Sequence, residues 1–178
     1  MDCYWNGWDF MRILGIDPGL AIVGWGIVDY EKSKFHTVAY GALRTPAGIC
    51  TEERLQLIYK GMCELLEKYH PDAVAIEELF FNTNITTGIR VAEARGVLLL
   101  AARQFGAEIQ EYTPLQVKQA VVGYGRAEKR QVMSMVTMLL GLKEIPKPDD
   151  TADALAIAIC HAHSGGSRLA GYYNKNTI

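Results

Sequence analysis

What the chain lacks narrows it first. Nowhere do eighteen apolar residues run uninterrupted, so no segment reads as a membrane span. The first ten residues, MDCYWNGWDF, hold Asp2 and Asp9 but no Lys or Arg, which argues against a secretory signal; a cytoplasmic protein is expected. The four cysteines, Cys3, Cys50, Cys63 and Cys160, form no Cys-x-x-Cys pair, and free thiols fit their scatter better than a disulfide frame or a zinc site. With a formal net charge of -2, any nucleic-acid partner would have to be held by a local patch rather than by bulk charge. Internal repeats and low-complexity blocks are missing too. What remains, 178 residues at 49% apolar content, is the size and composition of one globular domain.

The patterning that is present reads as strands first and helices later. Ile13 to Ile16 looks like a short buried strand ending at Asp17, with Pro18-Gly19 as a turn. A glycine-rich strand, Val23 to Tyr30, and a third, Phe35 to Arg44, follow around the polar turn 31–34, giving an antiparallel meander. Leu55, Ile58, Met62 and Leu65 then recur at helical spacing within 51–70, with Thr51 as N-cap and Pro71 as stop. From there strands and helices alternate: strand 72–77, helix 87–105, strand 107–112, helices 114–122 and 129–140, and a last apolar helix 150–163. The expectation is a mixed α/β fold, a five-stranded sheet flanked by helices, over residues 11–164. Residues 1–10 are expected to lie outside it as an extension, and 165–178 as a flexible tail.

Four acids stand where elements end or begin. Asp17 closes the first strand, Glu77 closes the fourth, and Asp150 and Asp153 share one face at the start of the last helix. Each has a local explanation: Asp17 as a turn cap, Asp150 as an N-cap, Asp153 as a first-turn acid favoured by the helix dipole. If the first and fourth strands are neighbours and the last helix crosses their ends, all four converge. Such a cluster is tolerable only when protons or cations neutralise it. An all-oxygen set without His or Cys suits Mg²⁺ or Mn²⁺, and two such ions can clamp a phosphodiester without any nucleophilic side chain.

The segment 118–130 carries Lys118, Arg126, Lys129 and Arg130 against Glu128, four bases to one acid. It suits either a phosphate-contacting patch or a solvated helix face. His161 and His163 lie two apart on a helix, about 200° around the axis, too divergent for one ion and better read as structural.

The motifs GIDPG at 15–19, AIEELF at 75–80, VKQAVVGYGRAEKRQV at 117–132 and DDTADALAIAICHAH at 149–163, in that order and spacing, resemble the RuvC family of Holliday-junction resolvases. The resemblance runs from Arg12 to about His163. It implies a ribonuclease H-like fold, a homodimer, and cleavage of two opposed strands of a four-way DNA junction, with 5′-phosphate and 3′-hydroxyl ends, in recombination and repair. It further implies two Mg²⁺ ions per site, for which Mn²⁺ substitutes, and the branch-migration proteins RuvA and RuvB as partners. The family's catalytic and metal-binding acids fall on Asp17, Glu77, Asp150 and Asp153, leaving Glu78 on the opposite strand face and Asp149 as an N-cap or flanking acid. Lys118 and Lys129 match its basic residues, which favours DNA contact for them and, in the same patch, for Arg126 and Arg130. Phe80 matches an aromatic that can stack on an unpaired base, whereas Phe81 reads as core. The small residues Ala92, Ala94 and Gly96 suit close helix packing, in a dimer or in a plain core.

Overall fold

A computed structural model describes residues 10–79 and 85–165 of the chain. Strands β1 (Met11–Asp17), β2 (Ile22–Glu31) and β3 (Lys34–Arg44) form the expected meander. Helix α1 (Thr51–Tyr69), strand β4 (Ala73–Glu77), helix α2 (Ile85–Phe105) and strand β5 (Glu108–Tyr112) follow; α3 (Pro114–Val122), α4 (Lys129–Leu139) and α5 (Asp149–Gly165) complete the order. The sheet runs β3-β2-β1-β4-β5, with β1 antiparallel to β2 and parallel to β4.

Alternation along β1 explains why this sheet has two covered faces. Leu14 and Ile16 point into a layer shared with Ile58, Met62 and Leu66 of α1 and Leu98 of α2. Met11 and Ile13 point the other way, into a layer with α3, α4 and Leu155 to Cys160 of α5. Asp17, in phase with Ile13, therefore leaves the strand on the α5 face. The same phase applies on β4, where Ala73 and Ala75 face α5 and Val74 and Ile76 face α1 and α2. Glu77 follows them onto the α5 face.

Glycine sets how near α5 comes. A Cβ at Gly15 would overlap the carbonyl of Ala154, one at Gly24 the carbonyl of Asp150, and one at Gly26 the Leu155 side chain. Three missing side chains on β1 and β2, facing an alanine-rich helix, let two backbones touch. The N-terminal turn of α5, with its acids, is thereby pressed onto the end of β1.

Two helix caps differ from expectation. Thr51 is the first helical residue of α1 rather than its cap; Cys50 holds the cap position, where its N–H donates to Glu53 Oε2 at 3.3 Å. Asp149 likewise lies inside α5 as its first residue, a first-turn acid and not the N-cap. Cys50, Cys63 and Cys160 are free thiols. Among the described residues no helix is long and apolar enough to cross a membrane.

Candidate active site

Register brings the first two acids together. The β1–β4 pairing ends at Ile16 opposite Ile76, so Asp17 and Glu77 are the next residues of adjacent parallel strands, both directed at α5. Asp150 and Asp153 arrive from the helix. Their proximity shows in the protonation of Asp17, whose carboxyl is pushed from 3.8 up to about 8. Burial is the largest cause, followed by the charges of Asp153, Glu77 and Asp150, with Lys129 opposing them. Glu77 is raised as well, by burial and then by Asp153, against Lys129 and Lys118. Among the described residues no donor reaches the Asp17 carboxylate, so the turn-cap explanation of that acid does not hold. Glu78 is exposed, and its side chain stays out of the cluster.

Two lysines complete the near side. Lys129, the first residue of α4, puts Nζ 2.8 Å from Asp153 Oδ2 and 3.6 Å from Asp149 Oδ2. Lys118 and Lys129 line a hollow of about 230 Å³ together with Glu77 and Asp153, over a floor that includes Val132 and Ile157. Arg126 is exposed on the α3–α4 connection, and Arg130 lines a separate hollow with Glu128 and Met138. The basic segment is thus split: its lysines join the acids and its arginines do not. Phe80 and Phe81 lie outside the described residues.

The donor set fits a hard divalent ion in charge and chemistry, since every group is a carboxylate and the cluster holds more negative charge than Lys129 offsets. Its geometry is open. Among the described residues no three His, Cys, Asp or Glu side chains stand close enough to grip one ion, and the Lys129 ammonium reaches in among them.

Sequence reasoning missed the device that holds Glu77. The peptide bond between Glu77 and Glu78 is fixed at both ends: Arg95 Nε donates to the Glu77 carbonyl at 3.2 Å, and the Glu78 N–H donates to the Tyr112 carbonyl at 2.8 Å. Arg95 is itself paired with Glu111. Tyr112 is tied to α5, its Oη 2.8 Å from His161 Nδ1. His163 Nδ1 lies 3.0 Å from the Ala120 carbonyl, so both histidines are structural, as their spacing implied. Arg95, one of three arginines on α2, carries no spacing signal that could have flagged it.

An acid at the end of each central strand, met by two more from a helix across the sheet face, defines a ribonuclease H-like nuclease. The family model for crossover junction endodeoxyribonuclease RuvC matches residues 13–161, and the chain belongs to the RuvC family. It is 63% identical over 155 residues to crossover junction endodeoxyribonuclease RuvC of Alkaliphilus metalliredigens, covering 87% of this chain and 94% of the relative. To the protein of that name from Clostridioides difficile it is 60% identical over 154 residues, covering 86% and 91%. Thermus thermophilus RuvC in complex with Holliday junction substrate superposes with a TM-score of 0.82 at 39% identity, covering 87% of this chain and 94% of that one. Divalent-metal dependence goes with this fold.

Proposed function

We propose that this chain is the nuclease domain, residues 11–164, of a homodimeric resolvase that nicks two opposed strands of a four-way DNA junction in the cytoplasm during recombination and repair. The observation that carries the reading is the convergence of Asp17 and Glu77, at the ends of adjacent parallel strands, with Asp153 and Asp150 of the last helix, where burial and then these charges raise the Asp17 carboxyl. Asp17, Glu77, Asp150 and Asp153 would hold two Mg²⁺ ions, Mn²⁺ substituting. Bound there, the ions supply a water activated for in-line attack and charge stabilisation of the leaving 3′ oxygen, leaving a 5′-phosphate.

The chain's own part is placement. Lys118 and Lys129 set a phosphate over the hollow that Glu77 and Asp153 share, and the apolar floor limits water around it. Arg126 and Arg130, exposed on the same lobe, add phosphate contacts further along the DNA arm, and Phe80 stacks on an unpaired base at the junction centre. The two protomers would meet across α2: Leu98 and Ala94 fill the core, while Ile89 and Leu100, each 52% exposed, flank Gly96, beside which there is open space. RuvA and RuvB are the expected branch-migration partners.

Two results check these placements. Lys118→Ala should weaken junction binding in every sequence context and lower the slope of log affinity against log salt by about one contact's worth, ~0.7–0.9. Arg95→Gln frees the Glu77 carbonyl, so nicking should slow by about 10–100-fold with junction affinity within about twofold, because positioning rather than binding is lost. The substrate class is tested by offering junction, linear duplex and RNA–DNA hybrid together in Mg²⁺. Nicking confined to the junction is expected, and preferential cutting of the hybrid would reassign the chain to ribonuclease chemistry.

A further inference from the structure

We propose that the acids are flanked on their far side by a second phosphate subsite, built by Arg54 and Arg90, which holds the strand being cut. The inference rests on the nuclease reading above and adds the path of the strand across the site. A hollow of about 380 Å³ is lined by the turn at residues 19–22, Arg54, Arg90, Val91 and Asp150. It shares no residue with the hollow of Glu77, Asp153, Lys118 and Lys129. The acid cluster therefore stands between two openings: Asp150 borders one, Glu77 and Asp153 the other.

This second opening is positively charged. Arg54 is held in place: its Nε donates to Thr45 Oγ1 at 2.8 Å, and the Thr45 hydroxyl donates to the Leu20 carbonyl at 2.6 Å. The Thr45 N–H also donates to the Ala21 carbonyl at 3.1 Å, so the guanidinium is anchored on the turn that follows Asp17. With Nε occupied by a neutral oxygen, its remaining N–H groups are left for another acceptor. Arg90 is exposed on α2. Among the described residues neither arginine forms an ion pair, whereas Arg12 is paired with Asp29 and Arg95 with Glu111. Two cations against the single acid Asp150 leave the hollow with a net positive charge beside a site that is otherwise strongly negative.

A fixed guanidinium fork matches the oxygens of a phosphate, and an immobilised one binds with less ordering cost than a free side chain. A strand whose scissile phosphate lies at the acids has neighbouring phosphates on both sides. Lys118 and Lys129 receive one flank and Arg54 and Arg90 the other, which would fix the direction in which the strand is drawn across the acids.

The test is the salt dependence of junction binding, measured in chelator so that no cleavage occurs, for wild type, Arg90→Gln, Arg54→Gln and the double variant. Each single substitution should lower the slope of log affinity against log salt by about 0.7–0.9, and the double variant by about twice that. Arg90→Gln replaces an exposed side chain and should melt with the wild type, so it carries the test if Arg54→Gln folds poorly. Slopes equal to wild type in Arg90→Gln and in the double variant would overturn the subsite. The nuclease reading fails separately: a wild type that binds the junction but never nicks it in Mg²⁺ would remove that reading, while the slopes still report the phosphate contacts.

Discussion

Asp17→Asn should reduce junction nicking by at least about a thousandfold while leaving junction affinity within about threefold, since the proposed metal-holding set would lose one carboxylate but the lysines remain. The same substitution should stabilise the metal-free protein. The sign follows from linkage: folded Asp17 keeps its proton up to about pH 8, whereas the unfolded chain releases it near 3.8. Between those values the native state binds more protons than the unfolded state, so unfolding free energy falls as pH rises, approaching about 1.4 kcal/mol per pH unit for one group. Glu77, raised in the same direction by burial and by Asp153, adds to the slope in the same sense. In chelator, the wild type should therefore melt at progressively lower temperature from pH 5 to 8, and Asp17→Asn should flatten the trend and melt higher at pH 8. A wild-type melting temperature that rises across this window would contradict the burial of an uncompensated carboxylate.

Among the described glycines, Gly24→Ala should be the most damaging addition of a single methyl. The new Cβ would overlap the backbone carbonyl of Asp150, which no rotamer change relieves, so the first turn of α5 must move. Overpacking of this kind costs about 1–3 kcal/mol of stability. The effect on nicking should be larger, about a hundredfold, because displacement by an ångström carries both Asp150 and Asp153 away from Asp17. Thermal melts together with single-turnover nicking rates separate the two losses; a Gly24→Ala enzyme with wild-type rate would mean that the helix does not set the acid spacing.

The skeleton of the site was legible because it lies at element ends. An acid after an apolar run, repeated at Asp17 and Glu77, marks two strand exits whatever their order in the sheet, and alternation then sends Glu77 and Glu78 to opposite faces. What escaped was everything made by contact between distant residues. Gly15, Gly24 and Gly26 read as strand punctuation, yet their role is the close approach of α5, visible only once the helix is in place. Arg54 on α1 and Arg90 and Arg95 on α2 do not break the period of their helices, so neither anchoring on Thr45 nor the grip on the Glu77 carbonyl has a spacing signature. Arg126 and Arg130 share a charge run with Lys129, but Arg126 is exposed on the α3–α4 connection and Arg130 lines a separate hollow, so neither joins the acids. Asp149 shows the limit at a boundary, because one added helical residue converts an expected cap into a first-turn acid beside Lys129.

Cutting of junction DNA by this acid cluster should require a divalent metal. The most direct measurement is a denaturing-gel assay of an immobile four-way junction with each strand labelled in turn, incubated with purified protein in Mg²⁺ and in chelator, beside Asp17→Asn. Paired nicks at symmetric positions on two opposed strands, carrying 5′-phosphates, lost in chelator and lost in Asp17→Asn, are the predicted result. Tight binding of the junction with no nicks in Mg²⁺ or Mn²⁺, or nicks that persist in chelator or in the variant, would contradict it.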